Sequence, residues 1–233
     1  MVQRLKTVLI DYDGTLHDSD TVFASKLDGL FGLNGRDLYR IYLVDVHRNI
    51  VHEQYPERHD DWDLHWRLLL QHLGRPYNRE EAELLNTRFG EAAEAAYTNP
   101  RFFPDAFPFL NRLLEANYEI VLSTGQGSLK KAENLRRAGG KDYFKQILGE
   151  EILGRLKNDP AYYREALRRL GSSAEETVSI GDTILTDIYP AKVVGIKTIW
   201  VNRRREKPPT DHERTPDYEA PNLISALDYL PTT

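Results

Sequence analysis

An α/β fold, a doubly wound parallel sheet with an inserted all-helical block, is what this 233-residue sequence predicts. Three observations predict it. From about Pro100 onward, short runs rich in Val and Ile alternate with amphipathic stretches, the texture of strand-helix-strand units. An earlier run, Thr7-Val8-Leu9-Ile10, has the unbroken apolar character of a strand buried on both faces. Between the two, residues 17–99 carry almost no β-branched runs and read as helices throughout.

Taken in order, the first strand stops at Asp11. Helices are expected over 22–31, 36–53, 61–73 and 80–97, with breaks at Asn34-Gly35, at Pro56 and at Gly74-Arg75-Pro76, where the turn chemistry is strongest. Pro100 and Pro104 mark the return to the sheet, and Pro104-Asp105 has the composition of a helix start. Strands then read over 118–123, 177–180 and 197–201, and helices over 129–138, 161–170 and 184–194. This divides the chain into a core, residues 1–16 and 100–233, and a helical cap, residues 17–99. The segment 208–216 is Pro-rich and charged, a surface loop. Arg203-Arg204-Arg205, followed by Glu206 and two prolines, reads as a solvated loop rather than a phosphate-binding patch.

Bulk composition narrows the chemistry. With 40% hydrophobic and 29% charged residues the chain is globular rather than disordered. A net charge of -5 gives no reason to expect nucleic acid as a partner. The absence of cysteine excludes disulfides, thiolate nucleophiles and cysteine-ligated metals. No apolar stretch is long enough to span a bilayer and the start lacks the form of a signal peptide, so a cytoplasmic, membrane-free protein is expected.

The chemistry-bearing residues stand where the expected strands end, the edge at which open α/β sheets bind ligands. Asp11-Tyr12-Asp13-Gly14-Thr15 places two carboxylates two residues apart, projecting the same way toward one ligand, with Gly14 allowing a tight turn. Such acids repel unless a cation or a shared proton offsets them. Thr124-Gly125, after the strand 118–123 and before a helix start near Ser128, offers a hydroxyl and free backbone N–H groups to an anion. A plain helix cap is the alternative there. Lys157 precedes a helix opening at Asp159-Pro160. Gly181-Asp182-Thr183-Ile184-Leu185-Thr186-Asp187 supplies a second pair of acids on another strand end. Oxygen ligands from two separated strand ends can complete a Mg²⁺ site. Asp187 either touches the metal directly or supports the residues that do.

In the insert, Trp62 and Trp66 fit one helix turn and read as packing residues. His65 and His72 are spaced to share a helix face, without a converging third metal ligand. His59-Asp60-Asp61 is explained by turn chemistry.

In order, strand-end context and spacing, Asp11-Tyr12-Asp13-Gly14-Thr15, Thr124, Lys157 and Gly181-Asp182 through Asp187 resemble the four motifs of the haloacid dehalogenase-like hydrolases. The stretch 181–202, with Ala191 and Gly195, is similar to the last strand-helix-strand unit of that family. A helical insert after the first motif resembles the subgroup with a mobile cap there. The resemblance implies a Rossmann-like core and a Mg²⁺-dependent phosphatase acting on a small phosphorylated metabolite. It implies that Asp11 is the nucleophile, forming an aspartyl-phosphate. Asp13 protonates the leaving oxygen and then deprotonates the attacking water. Asp11, Asp182 and the backbone carbonyl of Asp13 hold Mg²⁺, and Thr124, Gly125 and Lys157 bind the phosphoryl group. Tyr12 stands where the family more often has phenylalanine, and Asn158 where proline often follows the lysine. The acid at position 13 favours phosphoryl chemistry over carbon–halogen cleavage, since dehalogenase members lack it. Substrate choice is expected to lie with the helical insert, closing over the strand ends. A phosphotransferase or mutase using the same intermediate fits the same residues, as does a non-enzymatic phosphorylatable switch. The length of the chain and a nucleophile on the first strand argue against the switch.

Overall fold

The computed structural model of the chain describes residues 5–231. Residues 1–4 and 232–233, which the sequence assigns to the core, lie outside that range. Two compact units result: one comprises the chain up to Asp18 and from Phe102 onward, the other Ser19–Arg101. His17, placed with the insert by sequence, belongs to the first unit because it bridges to Asp13 and to Phe102.

The chain opens with β1 (Thr7–Ile10), whose residues are all buried. It then enters the helical unit: α1 (Ser19–Leu27), α2 (Gly35–Arg40), α3 (Trp62–His72) and α4 (Arg79–Thr98). Three of these helices start on a side-chain cap, in which Asn34, Asp61 and Asn78 accept from the backbone N–H of Asp37, Leu64 and Glu81 at 2.9, 3.1 and 2.8 Å. The expected helix over 36–53 is α-helical only to Arg40 and continues as a π-helix, Ile41–His52. Its buried residues explain the change. Leu38, Tyr42, Val46 and Val51 recur every four or five positions, and the wider i→i+5 turn keeps that slower repeat facing the unit's core beside Leu69 and Phe89.

The sheet unit resumes with α5 (Ala106–Glu115), which buries Ala106, Phe109, Leu110 and Leu113 in one stripe. There follow β2 (Glu119–Thr124), α6 (Ser128–Gly139), β3 (Gln146–Gly149), α7 (Glu150–Leu153) and α8 (Pro160–Leu170). Next come β4 (Thr177–Gly181), a π-turn (Ile184–Ile188) running into α9 (Tyr189–Val193), β5 (Lys197–Val201), β6 (Tyr218–Ala220) and α10 (Leu223–Ala226). The strands form one parallel sheet in the order β3-β2-β1-β4-β5-β6, the doubly wound arrangement. β1 lies inside it, Thr7 pairing with Glu119 on one side and Thr177 on the other. The chain runs from β1 outward to β2 and β3, then returns to β4 on the opposite flank, so the crevice falls at the carboxyl ends of β1, β2 and β4. The short edge strands β3 and β6 are additions to what the sequence showed. No helix among the described residues is long and apolar enough to cross a membrane.

Candidate active site

Parallel pairing brings the ends of β1 and β4 together, and with them three acids. Carboxylate oxygens of Asp11, Asp182 and Asp187 lie within 4.8 Å of one another, all three side chains buried. Two glycines make room for this convergence. A side chain at Gly14, where φ is 76°, would start 2.4 Å from Oδ2 of Asp182. One at Gly181 would start 2.2 Å from Cγ of Asp187. The π-turn aims Asp187 inward. Its Oδ2 accepts from the Thr183 N–H at 2.9 Å, and its carbonyl accepts from the Ser179 hydroxyl at 2.8 Å. The Asp182 carbonyl accepts from the indole of Trp200, a buried residue of β5, at 2.9 Å.

Lys157 is buried among these acids, donating to Oδ1 of Asp11 at 2.6 Å and Oδ1 of Asp187 at 2.5 Å. Its backbone N–H donates to Glu150 at 2.8 Å, which fixes the loop that carries it. Arg204 supplies a second cation, pairing with Oδ2 of Asp182. Three carboxyl groups thus face two cations, one acid more than the basic groups that meet them. Burial pushes the Asp11 carboxyl up to about 8 against the pull of Lys157, with Asp187 and Asp182 adding to the rise. Asp187 is raised by burial as well. Burial alone would lower Lys157, but the facing carboxylates of Asp11 and Asp187 win and hold its pKa well above the ordinary value. An all-oxygen donor set of three converging acids, Asp11 and Asp187 raised by burial and by neighbouring acids, fits a hard divalent cation that would displace their protons. Oδ2 of Asp11 has no hydrogen-bond partner among the described residues.

Asp13 belongs to a different network. Instead of facing the acid cluster with Asp11, its Oδ1 accepts from Nδ1 of His17 at 2.9 Å and its Oδ2 pairs with Nζ of Lys131 at 2.9 Å. The same ammonium donates to Oγ1 of Thr124 at 3.0 Å. Burial alone would raise Asp13, yet Lys131 and His17 outweigh it and hold the carboxyl well below the ordinary carboxylate range. Next to Gly125, the helix start at Ser128 is not fully open to an anion as expected. Glu151 accepts from its backbone N–H at 2.8 Å and from its hydroxyl at 2.7 Å.

Arg203 and Arg204 correct the reading of their run as solvated. Arg203 donates to Asp105 and to the carbonyl of Thr15, both at 2.9 Å, and lies 3.9 Å over the Phe103 ring. The loop after β5 carries both guanidiniums back onto carboxylates, Asp105 partly buried and Asp182 buried, where pairing outweighs hydration. Sequence reasoning therefore missed His17, Lys131 and Arg204.

In the helical unit His65 and His72 do not converge. His65 is buried, its Nδ1 hydrogen-bonded with the Tyr42 hydroxyl at 2.9 Å, while His72 is exposed and faces Asp45 at 3.8 Å. His65 instead groups with His47 and His52, the His47 ring centroid lying 5.4 and 4.4 Å from theirs. Trp66 packs in the unit's core at 3% exposure; Trp62, at 49%, does not.

Residues 5–195 match the family described as haloacid dehalogenase-like hydrolase. The chain is 29% identical to a glyceraldehyde 3-phosphate phosphatase of Methanopyrus kandleri, over 97% of each chain. It is 31% identical to a phosphoserine phosphatase of Thermus thermophilus, over 62% of this chain and 58% of that one. In fold it resembles the HAD-hydrolase YfnB from Bacillus subtilis, whose structure is bound to magnesium, with a TM-score of 0.73 at 22% identity over 97% of this chain and 99% of that one.

Proposed function

This chain belongs to the haloacid dehalogenase-like hydrolases, and from that premise we propose that it is a Mg²⁺-dependent phosphatase of small phosphate esters. The observation that carries the proposal is the convergence of Asp11, Asp182 and Asp187 around Lys157 at the ends of β1 and β4. The names of the two phosphatase relatives and the magnesium in YfnB support it.

The side chains of Asp11 and Asp182 and the carbonyl of Asp13 would hold the ion, whose charge, when bound, offsets the repulsion between a carboxylate and a phosphate dianion. Asp187, both of whose oxygens already have protein partners, positions Lys157. Asp11 attacks phosphorus through the oxygen that Lys157 leaves free, and the phosphoryl group moves from the ester oxygen to that carboxylate. Lys157, Thr124 and the backbone at Gly125 hold the phosphoryl oxygens in line. Asp13 gives a proton to the departing ester oxygen and later takes one from the water that cleaves the aspartyl-phosphate. In the ligand-free protein Lys131 and His17 keep Asp13 ionised. A phosphate dianion arriving beside Thr124 brings negative charge close to Asp13 and draws on the shared Lys131 ammonium. Both effects raise the affinity of Asp13 for the proton it must carry. Substrate choice is assigned to the helical unit, Ser19–Arg101, acting as the cap.

The test is phosphate release from an aryl phosphate with and without Mg²⁺, in wild type and Asp11→Asn. Mg²⁺-dependent release that disappears in the variant is expected. Undiminished release by Asp11→Asn would remove the nucleophile and the mechanism built on it.

A further inference from the structure

We infer that His17 and Lys131 are positioning residues, a two-point clamp that holds the Asp13 carboxylate on the Thr124 side of the crevice and out of the metal-binding acid set. The inference rests on the phosphatase reading above and concerns residues outside the motifs that carry it.

Asp13 sits two residues from Asp11, close enough in the chain for its carboxylate to join the cluster at Asp182 and Asp187. A fourth acid there would compete for the cation and leave no group to move the proton. Nothing in Asp13 itself prevents this, since a short side chain at the start of a turn has several accessible rotamers. The structure supplies one donor for each of its oxygens: Nδ1 of His17 and Nζ of Lys131, each at 2.9 Å.

Both donors are fixed independently of Asp13. His17 is fully buried. Its backbone N–H donates to Tyr12 at 2.8 Å, and its carbonyl accepts from Gly14 at 2.9 Å, closing the turn. Its ring packs against those of Tyr12 and Phe102, at centroid distances of 5.1 and 6.1 Å. Lys131 is buried on the first turn of α6, where an ammonium is tolerated only if paired. Its contact with Oγ1 of Thr124, 3.0 Å away, ties the position of Asp13 to the strand end that receives the phosphoryl group.

The clamp separates two steps that different substrates weight differently. An alkyl phosphate expels a poor leaving group and needs the Asp13 proton while the P–O bond breaks. A nitrophenyl phosphate expels a good one and needs Asp13 chiefly when water attacks the aspartyl-phosphate. The experiment compares wild type with Lys131→Met, His17→Leu and His17→Asn on both substrates, using stopped-flow for the nitrophenyl ester. In Lys131→Met and His17→Leu, kcat on the alkyl ester is expected to fall at least about 30-fold with KM nearly unchanged. The nitrophenyl ester should still give a rapid burst near one equivalent of nitrophenol, followed by slow turnover. His17→Asn, whose amide nitrogen can stand in for Nδ1, should recover most of the loss. Equal losses on both esters, in burst and steady state alike, or no recovery by asparagine, would overturn the clamp. Lack of turnover by wild type on every ester would instead overturn the phosphatase reading, and the clamp with it.

Discussion

At the strand ends of the sheet unit, three buried carboxylates are kept with Lys157 and Arg204. In the helical unit, His47, His52 and His65 pack ring to ring instead. The first cluster keeps the Lys157 charge because carboxylates face it. Burial raises Asp11 to about 8, so that at neutral pH a carboxyl there holds a proton that an incoming ion can replace. The second gives its charge up. Burial, with neighbouring imidazoles and Arg48, lowers the pKa of His47 well below the ordinary value and that of His52 to about 4. Burial lowers His65 too. A buried ammonium that faces carboxylates keeps its proton, whereas buried imidazoles that meet rings and other basic groups lose theirs.

The largest effect expected from breaking this contrast is on turnover. Asp11→Asn should cost about 10³-fold or more in kcat, as removal of a nucleophile does. It also replaces a carboxyl that burial holds largely protonated at neutral pH, so its melting temperature at about pH 7 should not fall. A calorimetric scan that showed a fall would mean that Asp11 is ionised there and its charge balanced by its partners. Next comes Lys157→Met. Stripping one partner from a buried ion pair costs about 3–5 kcal/mol, to be read from urea unfolding without metal. An unchanged midpoint would show that the acids simply take up protons.

Adding Mg²⁺ sharpens the comparison, because under the proposed function only the acid cluster takes it up. At a hundredfold excess over Kd the folded state should gain about 2.7 kcal/mol, and Asp182→Asn should abolish the gain. A persistent gain in that variant would place the ion elsewhere. The smallest effect is the pH dependence. Between 6.5 and about 4 the unfolded chain binds a proton at His52 that the folded chain refuses, so stability falls as pH falls through that window. Asp11 tilts the other way. Its raised pKa means the folded chain binds the extra proton, a contribution present at low pH and lost as pH rises through about 8. His52→Phe should flatten the acid side of a melting-temperature profile in Mg²⁺ and leave the alkaline side alone. A profile unchanged on the acid side would take the imidazoles out of the account.

How much of this was legible in the sequence follows from where each signal resides. Asp11, Thr124 and Asp182 stand directly after apolar runs, so a strand end and a chemical group are read together. Asp187 lies within the run that opens at Gly181. Lys131 gives no such signal. It sits in the first turn of α6 beside Lys130, in a pattern that any solvated helix face produces, and only the fold shows that it turns inward. Arg204 is hidden by its own neighbours, a basic run followed by prolines. His17 differs, because four residues from Asp13 across a tight turn is a spacing that brings side chains together. In the helical unit the periodicity of 36–53 was visible, but a repeat of four and five rather than three and four was needed to tell a π-helix from an α-helix.

The placement of β1 inside the sheet also has a consequence for how the protein is made. Its sheet partners begin at Glu119 and Thr177, so the strand leaves the ribosome long before either neighbour exists. At about 5–20 residues per second, Thr7–Ile10 waits on the order of ten seconds with its apolar residues uncovered. The loop that brings β1 and β4 together must close over most of the chain, a pairing that folds slowly. Asp11 thus meets Asp182 and Asp187 only after synthesis has passed β4 and the turn that follows it.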